Sequence, residues 1–543
     1  MKTLVTFSPR FDDSVNLLNE LNIEFFEKEM ITNAVVFSTH DKDGSQQLSN
    51  ELTELNISVS VSKIPSLTTK GLEHSDQLKE TAWKIVNELF LKISKTNNPV
   101  IYLGRSTRLH DHLLWLVGSI TRAQLAHWER CHIDYTDVNF DHFNSELAPK
   151  ILSNLIQLSA EHKLSHNSEK YWFDSSEIVS IDPSIQLSGV QAASKIGLDK
   201  GFLEINRQVS PPLYKLTKSG YPVGINNLVQ NREVGDKKML VSFARFNPGQ
   251  SNNLFRYFNK IEPHDSNLFI FGKIDDDLNC SGVYSFSEVL NDKSLGKIHD
   301  ETETSLQQIN SKSELEEFNV LEPILVINPD RKELEFSFHS KIMNHILEYE
   351  LQYGSHKWTF DITSSLSSFS YLVSELSIAA ESKISYVLKS TQGVGASGVE
   401  VDESPFTLAD HVIDVPSSIA VKALQNLNDT SINFLLVLLH YEQTNKNDEF
   451  DLNDLESILS AVPDAKALHR GLTKQEADLR ASELSLSIDQ NFDLGAHPTR
   501  VTEKLNLNQL IMRTNDLNPA RWALTDLGEF VAYWAYTKRG LEW

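Results

Sequence analysis

The sequence predicts an α/β protein built twice over in one chain, each α/β unit followed by a mainly helical one. Three observations predict it. Short apolar runs alternate with amphipathic stretches of helical period, which is the pattern of parallel β-α-β units in a doubly wound sheet. The opening "MKTLVTFSPRFDD" is echoed at residues 237–248 by "KKMLVSFARFNP": a basic residue, Leu-Val, a hydroxyl residue, Phe, a short gap, then Arg-Phe. An aromatic-x-Leu-Thr-x-x-Gly ending occurs at Tyr214–Gly220 and again at Trp522–Gly528. At 543 residues the chain is also well past the size of a single hydrophobic core.

In the first unit "TLVTF" reads as a buried strand running into the loop "SPRFDDS". An amphipathic helix over 14–29 leads to the strand "NAVVFST" (33–39). A helix at 47–56 precedes "ISVSVSKI" (57–64), which alternates with the period of a strand. A long amphipathic helix spans 75–95, followed by the strand "NPVIYLG" (98–104) and a helix over 109–128. The second unit repeats the plan: strand "MLVSF", helix "GQSNNLFRYFNKI", strand "SNLFIFGK". A polar, acidic region at 275–318 interrupts it as an insertion. Then come the strand "EPILVINP" (322–329), a helix at 340–351, the strand "KWTFDIT" (357–363), the helix "SSFSYLVSELSIAAES" and the strand "KISYVLKS" (383–390).

Each α/β unit runs into short helices. After the first come a helix at 146–161, "SGVQAASKI", "GFLEINRQV" and "PPLYKLTKSGYP". After the second come "INFLLVLLHYEQ", "LNDLESILSAV", "KQEADLRASELSLSI", "VTEKLNLNQLIMR" and "ARWALTDLGEFVAYW". The shared ending fits the last strand of a wing turning into a final helix, with Thr217 or Thr525 as N-cap. Short helices closed by such a wing predict a winged helix-turn-helix. The chain therefore parses into a Rossmann-like domain at 1–142, a winged helix-turn-helix at 143–232, a second Rossmann-like domain at 233–418 and a second winged helix-turn-helix at 419–543.

Composition narrows the setting. With 40 % hydrophobic and 23 % charged residues the chain is ordinary globular material. Its formal net charge of −24 argues against coating nucleic acid along its whole length, although phosphate contacts depend on where Lys and Arg cluster. Cys131 and Cys280 alone support neither a disulfide framework nor a Cys-based zinc site. Ser8-Pro9-Arg10 interrupts any signal-peptide core, and the longest apolar stretch, "INFLLVLL" (432–439), is too short to span a bilayer. A soluble, reducing, cytoplasmic setting with no membrane partner is the expectation.

A Leu-Val-x-Phe opening strand in an α/β domain joined directly to a winged helix resembles the CRISPR-associated Rossmann-fold (CARF) regulators. In that family two loops carry the ligand, one after the first strand and one after the fourth. The second loop follows the pattern Asn/Asp-hydrophobic-Ser/Thr-Gly-Gly-Thr/Arg-Lys. The matching stretches are "LGRSTRL" (103–109) and "FDITSSLSSF" (360–369). Asp361-Ile362-Thr363 fits the opening of the pattern, and Arg108 stands where the family's Lys stands. Neither copy has the Gly-Gly pair, and the second has Ser367 in place of the Lys.

The resemblance implies a cyclic oligoadenylate effector and no other cofactor. Its phosphates need backbone N–H groups, hydroxyls and a cation at a helix N-terminus. In the first copy it implies Ser8, Arg10, Gly104, Arg105, Ser106, Thr107 and Arg108 as ligand-binding residues. In the second it implies Arg245, Thr363, Ser364 and Ser365. The plain alternative for such hydroxyls is helix N-capping with no ligand.

Several other patterns carry less. "GVGASG" (393–398) matches G-x-G-x-x-G but opens no helix, so the dipole half of the dinucleotide mechanism is missing and a linker or hairpin loop is expected. "RSTRLH" (105–110) and "RAQLAH" (122–127) fit the Arg-x4-His spacing of HEPN-type ribonucleases, but lie inside the first α/β unit and read as structural. His110, His112, His127 and His132 lie near Cys131 without a matching partner segment, so surface and core roles are expected, with no metal. Asp275–Asp277 lacks the spacing of a calcium loop. No catalytic centre stands out.

Local charge answers part of the nucleic-acid question, with a protein–protein or dimerisation module as the alternative, since "WALTDLGEFVAYWAY" is aromatic enough to be an interface. Between residues 187 and 222, Lys195, Lys200, Arg207, Lys215 and Lys218 face only Asp199 and Glu204. "GFLEINRQV" (201–209) is the expected recognition helix, with Asn206, Arg207 and Gln208 of the types that read base edges. The second module offers Arg500, Lys504, Asn508, Gln509 and Arg513, together with Arg521. Together with the resemblance, which implies a cyclic oligonucleotide ligand and a role in antiviral defence, these residues lead to the expectation of a ligand-responsive, non-catalytic regulator that binds double-stranded DNA, compatible with a homodimer. Two alternatives come from other classes: a scaffold with degenerate sensor folds, and a ring nuclease using Arg108 and its neighbouring hydroxyls.

Overall fold

The computed structural model describes residues 1–9, 17–39, 44–65, 75–104, 106–128, 133–134, 147–166, 168–244, 264–273, 280–291, 295–312, 319–328, 334–363, 370–387, 412–414, 505, 509–514 and 521–538, with single positions between 424 and 451. The first α/β unit holds strands β1 (Lys2–Phe7), β2 (Ile31–Ser38), β3 (Ser58–Lys63), β4 (Pro99–Leu103), β5 (Gln124–His127) and β6 (Ile133–Asp134). They form one sheet in the order β3-β2-β1-β4-β5-β6, parallel except for β6. Helices α1 (Glu20–Lys28), α2 (Ser45–Glu54), α3 (Ser75–Ser94) and α4 (Arg108–Ile120) connect the parallel strands. Central strands are covered on both faces, which is why β1 reads as a continuous apolar run: Leu4, Val5 and Phe7 are all buried. Asn19 and Asn22 close a reciprocal capping box that starts α1 at Glu20, later than the expected 14.

One predicted helix is corrected here. The apolar stretch 109–128 is not a single helix, because α4 stops at Ile120 and "QLAH" becomes β5. Arg122 takes a φ of 57°, turning the chain back so that Ala123 can pair with the carbonyl of Gly118 (2.8 Å).

The next segment comprises α5 (Leu147–His166), β7 (Phe173–Asp174), α6 (Ser175–Ile181), α7 (Leu187–Asp199), β8 (Leu203–Asn206), β9 (Leu213–Leu216) and α8 (Gly220–Gln230). Its three strands form an antiparallel sheet in the order β7-β9-β8. The expected recognition helix at 201–209 is therefore wrong: this stretch is β8 and the tip of a hairpin. Gly201 at φ +73° ends α7, and Leu203 and Ile205 then alternate with Glu204 at strand period. Asn206, Arg207 and Gln208 sit at the hairpin tip, where Asn206 Oδ1 accepts the Gln208 N–H at 3.0 Å.

The second α/β unit holds β10 (Lys238–Ala244), β11 (Ser266–Lys273), β12 (Gly282–Ser285), α9 (Phe286–Asn291), α10 (Gly296–Lys312), β13 (Asn319–Val320), β14 (Ile324–Ile327), α11 (Leu334–Tyr353), β15 (Lys357–Asp361), α12 (Ser370–Ala379), β16 (Lys383–Val387) and β17 (Val412–Asp414). The sheet runs β12-β14-β11-β10-β15-β16-β17, with β13 beside β11. The acidic region 275–318 supplies β12, α9 and α10, and β12 joins the sheet antiparallel to β14. Beyond the inserted β12 the order matches the first sheet. One and the same shift in numbering carries Ser94 onto Tyr353, Val100 onto Thr359 and Gln124 onto Lys383, and α3 and α11 are both 20 residues long. The repeat read from the two opening strands thus extends through the fifth strand.

The last described elements are β18 (Ile511–Arg513), β19 (Trp522–Leu524) and α13 (Asp526–Lys538). They repeat the β8-β9-α8 turn. Thr217 Oγ1 donates to the carbonyl of Gly201 (2.7 Å) and accepts the Gly220 N–H (3.1 Å). Thr525 Oγ1 donates to the carbonyl of Gln509 (2.6 Å) and accepts the Gly528 N–H (3.0 Å). The Gly of the motif is required by contact: a Cβ would lie 2.0 Å from the Phe202 carbonyl oxygen at Gly220 and 1.9 Å from that of Leu510 at Gly528. The helices expected at "GQSNNLFRYFNKI", "LNDLESILSAV" and "KQEADLRASELSLSI" lie outside the described residues, as does "GVGASG".

The two halves pack crosswise. On α13, Phe530 sits against Trp83 and Phe90 of α3 (ring centroids 6.0 and 5.4 Å), and Asn87 donates to Glu529 Oε2 at 3.3 Å. Reciprocally, α5 and α8 pack on α11 and α12: Asn344 donates to Ser159 Oγ at 3.1 Å, and Asn226 to the Ala379 carbonyl at 3.3 Å. Past α8, the Arg232 guanidinium lies 3.7 Å from the Trp358 ring centroid and donates to Glu350 Oε2 (2.6 Å) and the His356 carbonyl (2.9 Å). That clamp fixes the crossing between the halves.

Candidate functional site

Each sheet has one place where the strand order reverses direction, between β1 and β4 in the first and between β10 and β15 in the second. Open α/β sheets take ligands at the carboxyl ends of the strands there. In the first copy that end is built from Phe7-Ser8, the turn Gly104–Thr107 and the start of α4. Gly104 has φ +113°, and a Cβ there would lie 2.5 Å from His127 Cε1, so the turn is pressed onto the imidazole at the end of β5. Buried Asp111 holds the turn: its Oδ1 accepts from the Gly104 N–H (3.2 Å) and from Ser106 Oγ (2.8 Å). Thr107 caps α4, accepting the His110 N–H at 3.2 Å. The His110 ring stacks on Phe7, centroids 4.6 Å apart. Arg108, half-buried, is the first residue of α4.

The first-strand loop is anchored from α2. Glu51 accepts the backbone N–H groups of Leu17 (3.0 Å) and Leu18 (2.8 Å), and Ser8, itself buried, donates its N–H to the Phe37 carbonyl (2.8 Å). Arg10 and Arg105 lie outside the described residues.

The second copy is organised by a different group. Asp361, at the end of β15 and 5 % exposed, accepts from Ser242 Oγ of β10 (3.0 Å) and from the Thr363 N–H (3.0 Å) and hydroxyl. Burial pushes its carboxyl above the usual carboxylate range against those hydrogen bonds. In the first copy Tyr102 occupies the matching position, its OH accepting from Asn22 Nδ2 (3.0 Å), and Thr6 bonds the Tyr102 carbonyl instead (2.8 Å). Arg245, Ser364 and Ser365 lie outside the described residues.

The helices that leave the two reversal points pack against each other. In that contact His112 Nδ1 of α4 meets Ser374 Oγ of α12 at 2.6 Å, both fully buried. Next to it, buried His339 of α11 bonds the Leu372 carbonyl (3.1 Å), and desolvation lowers its pKa to about 4, so it is neutral at pH 7.

Of the nucleic-acid candidates, Lys195 and Lys200 are exposed on and just after α7, together with Ser188 and Gln191. Lys215 is turned inward: its Nζ lies over the rings of Trp172 (5.6 Å) and Phe336 (5.1 Å) and 4.0 Å from Glu204. Lys218 is half-buried, just ahead of α8. Gln509 sits in a turn at φ 58°, and Arg513 ends β18, exposed. Arg500, Lys504 and Asn508 lie outside the described residues. Sequence reasoning missed Asp111, His110 and His127 as the frame of the first turn. The His-Asp-His run was a visible signal, but its histidines were weighed as a metal site and as part of an Arg-x4-His pattern, and Asp111 was not singled out.

No family model and no curated protein matches the chain. Among solved structures, Csm6 of Enterococcus italicus bound to cyclic hexa-2′-fluoro-hexa-dAMP is 12 % identical over 47 % of this chain and 56 % of that one, with a TM-score of 0.23. Protein VC1899 from Vibrio cholerae is 10 % identical over 57 % of this chain and 98 % of that one, TM-score 0.18. A UDP-forming α,α-trehalose-phosphate synthase from Burkholderia xenovorans, in complex with glucose-6-phosphate, is 11 % identical over 93 % and 100 %, TM-score 0.16. All three superpose poorly, so function rests on the chain's own geometry. No helix among the described residues is long and apolar enough to cross a membrane.

Proposed function

We propose that this chain is a single-chain sensor pair: two Rossmann-like sheets that read one cyclic oligonucleotide and pass the binding energy to two winged helix-turn-helix modules on DNA. The observation that supports it most directly is the contact of α4 with α12 through His112 and Ser374, which joins the helices that follow the two strand-reversal points in one molecule. A ring of repeating nucleotides offers equivalent phosphates to two such loop ends. Arg108 and the N-terminus of α4 supply a cation and backbone donors for one of them. The crosswise packing then couples input to output, because any change in the angle between the sheets moves α5, α8 and α13 with them. The DNA surface is the exposed side of α7, Ser188, Gln191 and Lys195, with the hairpin tip Asn206–Gln208.

The reading is tested by calorimetric titration of the purified protein with cyclic tri-, tetra- and hexa-adenylate. Heat from one ring size, lost in Arg108→Ala, supports it, and intact ligand afterwards separates a sensor from a ring nuclease. Silence with all three rings refutes the ligand. No affinity for any duplex at low salt, with or without ligand, replaces the regulator with a scaffold.

A further inference from the structure

The two sheets have four outer edges, and three of them end in a short antiparallel strand: β6 beside β5, β17 beside β16 and β12 beside β14. The fourth is β3, which pairs with β2 on one side and with no described strand on the other. Ser58, Ser60, Val61 and Lys63 are exposed, Val61 to 47 %, while Val59 and Ser62 are partly buried. Bare strand edges are templates for pairing with another chain, and proteins usually blunt them with charge, proline or a covering segment. Here Ser58–Ser62 carries no charge, no proline and no glycine; Lys63 comes only at the strand's last position.

The sequence of this edge says what it pairs with. "SVSVS" (58–62) reads the same in both directions. An antiparallel neighbour with the same sequence, related by a twofold axis through Ser60, sets Val59 opposite the other copy's Val61 and Ser58 opposite its Ser62. All four valines then fall on one face, because side chains alternate along a strand. That face is the apolar one, since Val59 already packs on the core formed with Phe25, Phe26, Leu48 and Leu52. Cross-strand β-branched pairs of this kind stabilise antiparallel pairing. A one-residue slip would instead put valine against serine and turn the apolar faces apart, so the alternation disfavours it.

We infer that β3 is a homodimerisation edge: two copies of the chain pair antiparallel through Ser58–Ser62, joining their first sheets into one continuous sheet. The interface is independent of the α4–α12 contact, which remains within each chain, and it does not depend on the sensor reading above. Because each copy carries a net charge of −24, association strengthens as salt screens the repulsion between the two bodies.

Sedimentation equilibrium of the full-length protein tests this across a concentration series at two salt levels. The expected result is a mass rising toward twice the 61.5 kDa of one chain. Val61→Lys puts two cations into the pairing face and should raise the dissociation constant at least tenfold with an unchanged melting temperature. Val61→Thr, which keeps the β-branched shape, should retain the dimer, as should Met30→Lys, a charge placed at an exposed position away from this strand. A wild-type chain that stays at 61.5 kDa throughout overturns the proposal, leaving the edge to some other extended segment. So does a dimer that Val61→Lys leaves intact.

Discussion

Gly104 shows how much one residue without a side chain decides. Its positive φ and the imidazole of His127 beneath it leave no room for a Cβ, so the turn after β4 can be made only by glycine. Gly104→Ala should lower stability by about 1–3 kcal/mol in chemical denaturation, the range for forcing a side chain into such a backbone, and should misplace Ser106 and Arg108 as well. A variant as stable as the parent would mean that the turn relaxes freely. The sequence pointed to this loop through its hydroxyls. It did not show that Ser106 and Thr107 already hold partners, because Asp111, which accepts from Ser106, and the His110 N–H, which Thr107 accepts, come into place only once α4 has formed.

At the scale of elements, the start of α13 is the informative case. Asp526 is suitably placed in the first turn of its helix, yet burial against α3 and the nearby Glu80 and Glu529 push its carboxyl up to about 6, with Lys84 opposing. An unfolded aspartate titrates near 4, so between roughly pH 4 and pH 6 the folded chain binds more protons than the unfolded one. Stability from this group is therefore present at the acid end and is lost as pH rises through 6. Asp526→Asn should raise the melting temperature at pH 7.5, with the gain shrinking toward pH 4; a gain independent of pH would assign the effect to something other than charge. Element reading failed in two instructive places. "GFLEINRQV" carries apolar residues that satisfy either period, and the choice fell to Gly201, whose left-handed turn ends α7 and lets Leu203 pair with Leu216. "QLAH" was absorbed into the preceding helix because four residues are too few to show a period of their own.

For the molecule as a whole, the crosswise packing means that neither half completes its own core. The first sheet buries α3 with Phe530 from the chain's far end, and α11 of the second sheet is covered by α5 from the first half. Expressed together as separate chains split after Arg232, the two halves should copurify as one complex, while each alone exposes a helix face and aggregates. Independent, monomeric, cooperatively melting halves would show that the crossing contributes little.

The sequence by itself determined the duplication, the parallel strands and the two Thr-x-x-Gly turns from strand into helix. Buried parallel strands must be apolar throughout, and the Thr and Gly of each turn are forced by a hydroxyl bridge and by a carbonyl where a Cβ would lie. Only the tertiary structure decided which module rests on which sheet, that His112 faces Ser374, that Lys215 turns inward and that β3 has no described strand on its outer side. Those outcomes depend on contacts between residues far apart in the chain, 262 positions for His112 and Ser374, and no local period or propensity encodes the angle at which two folded units meet.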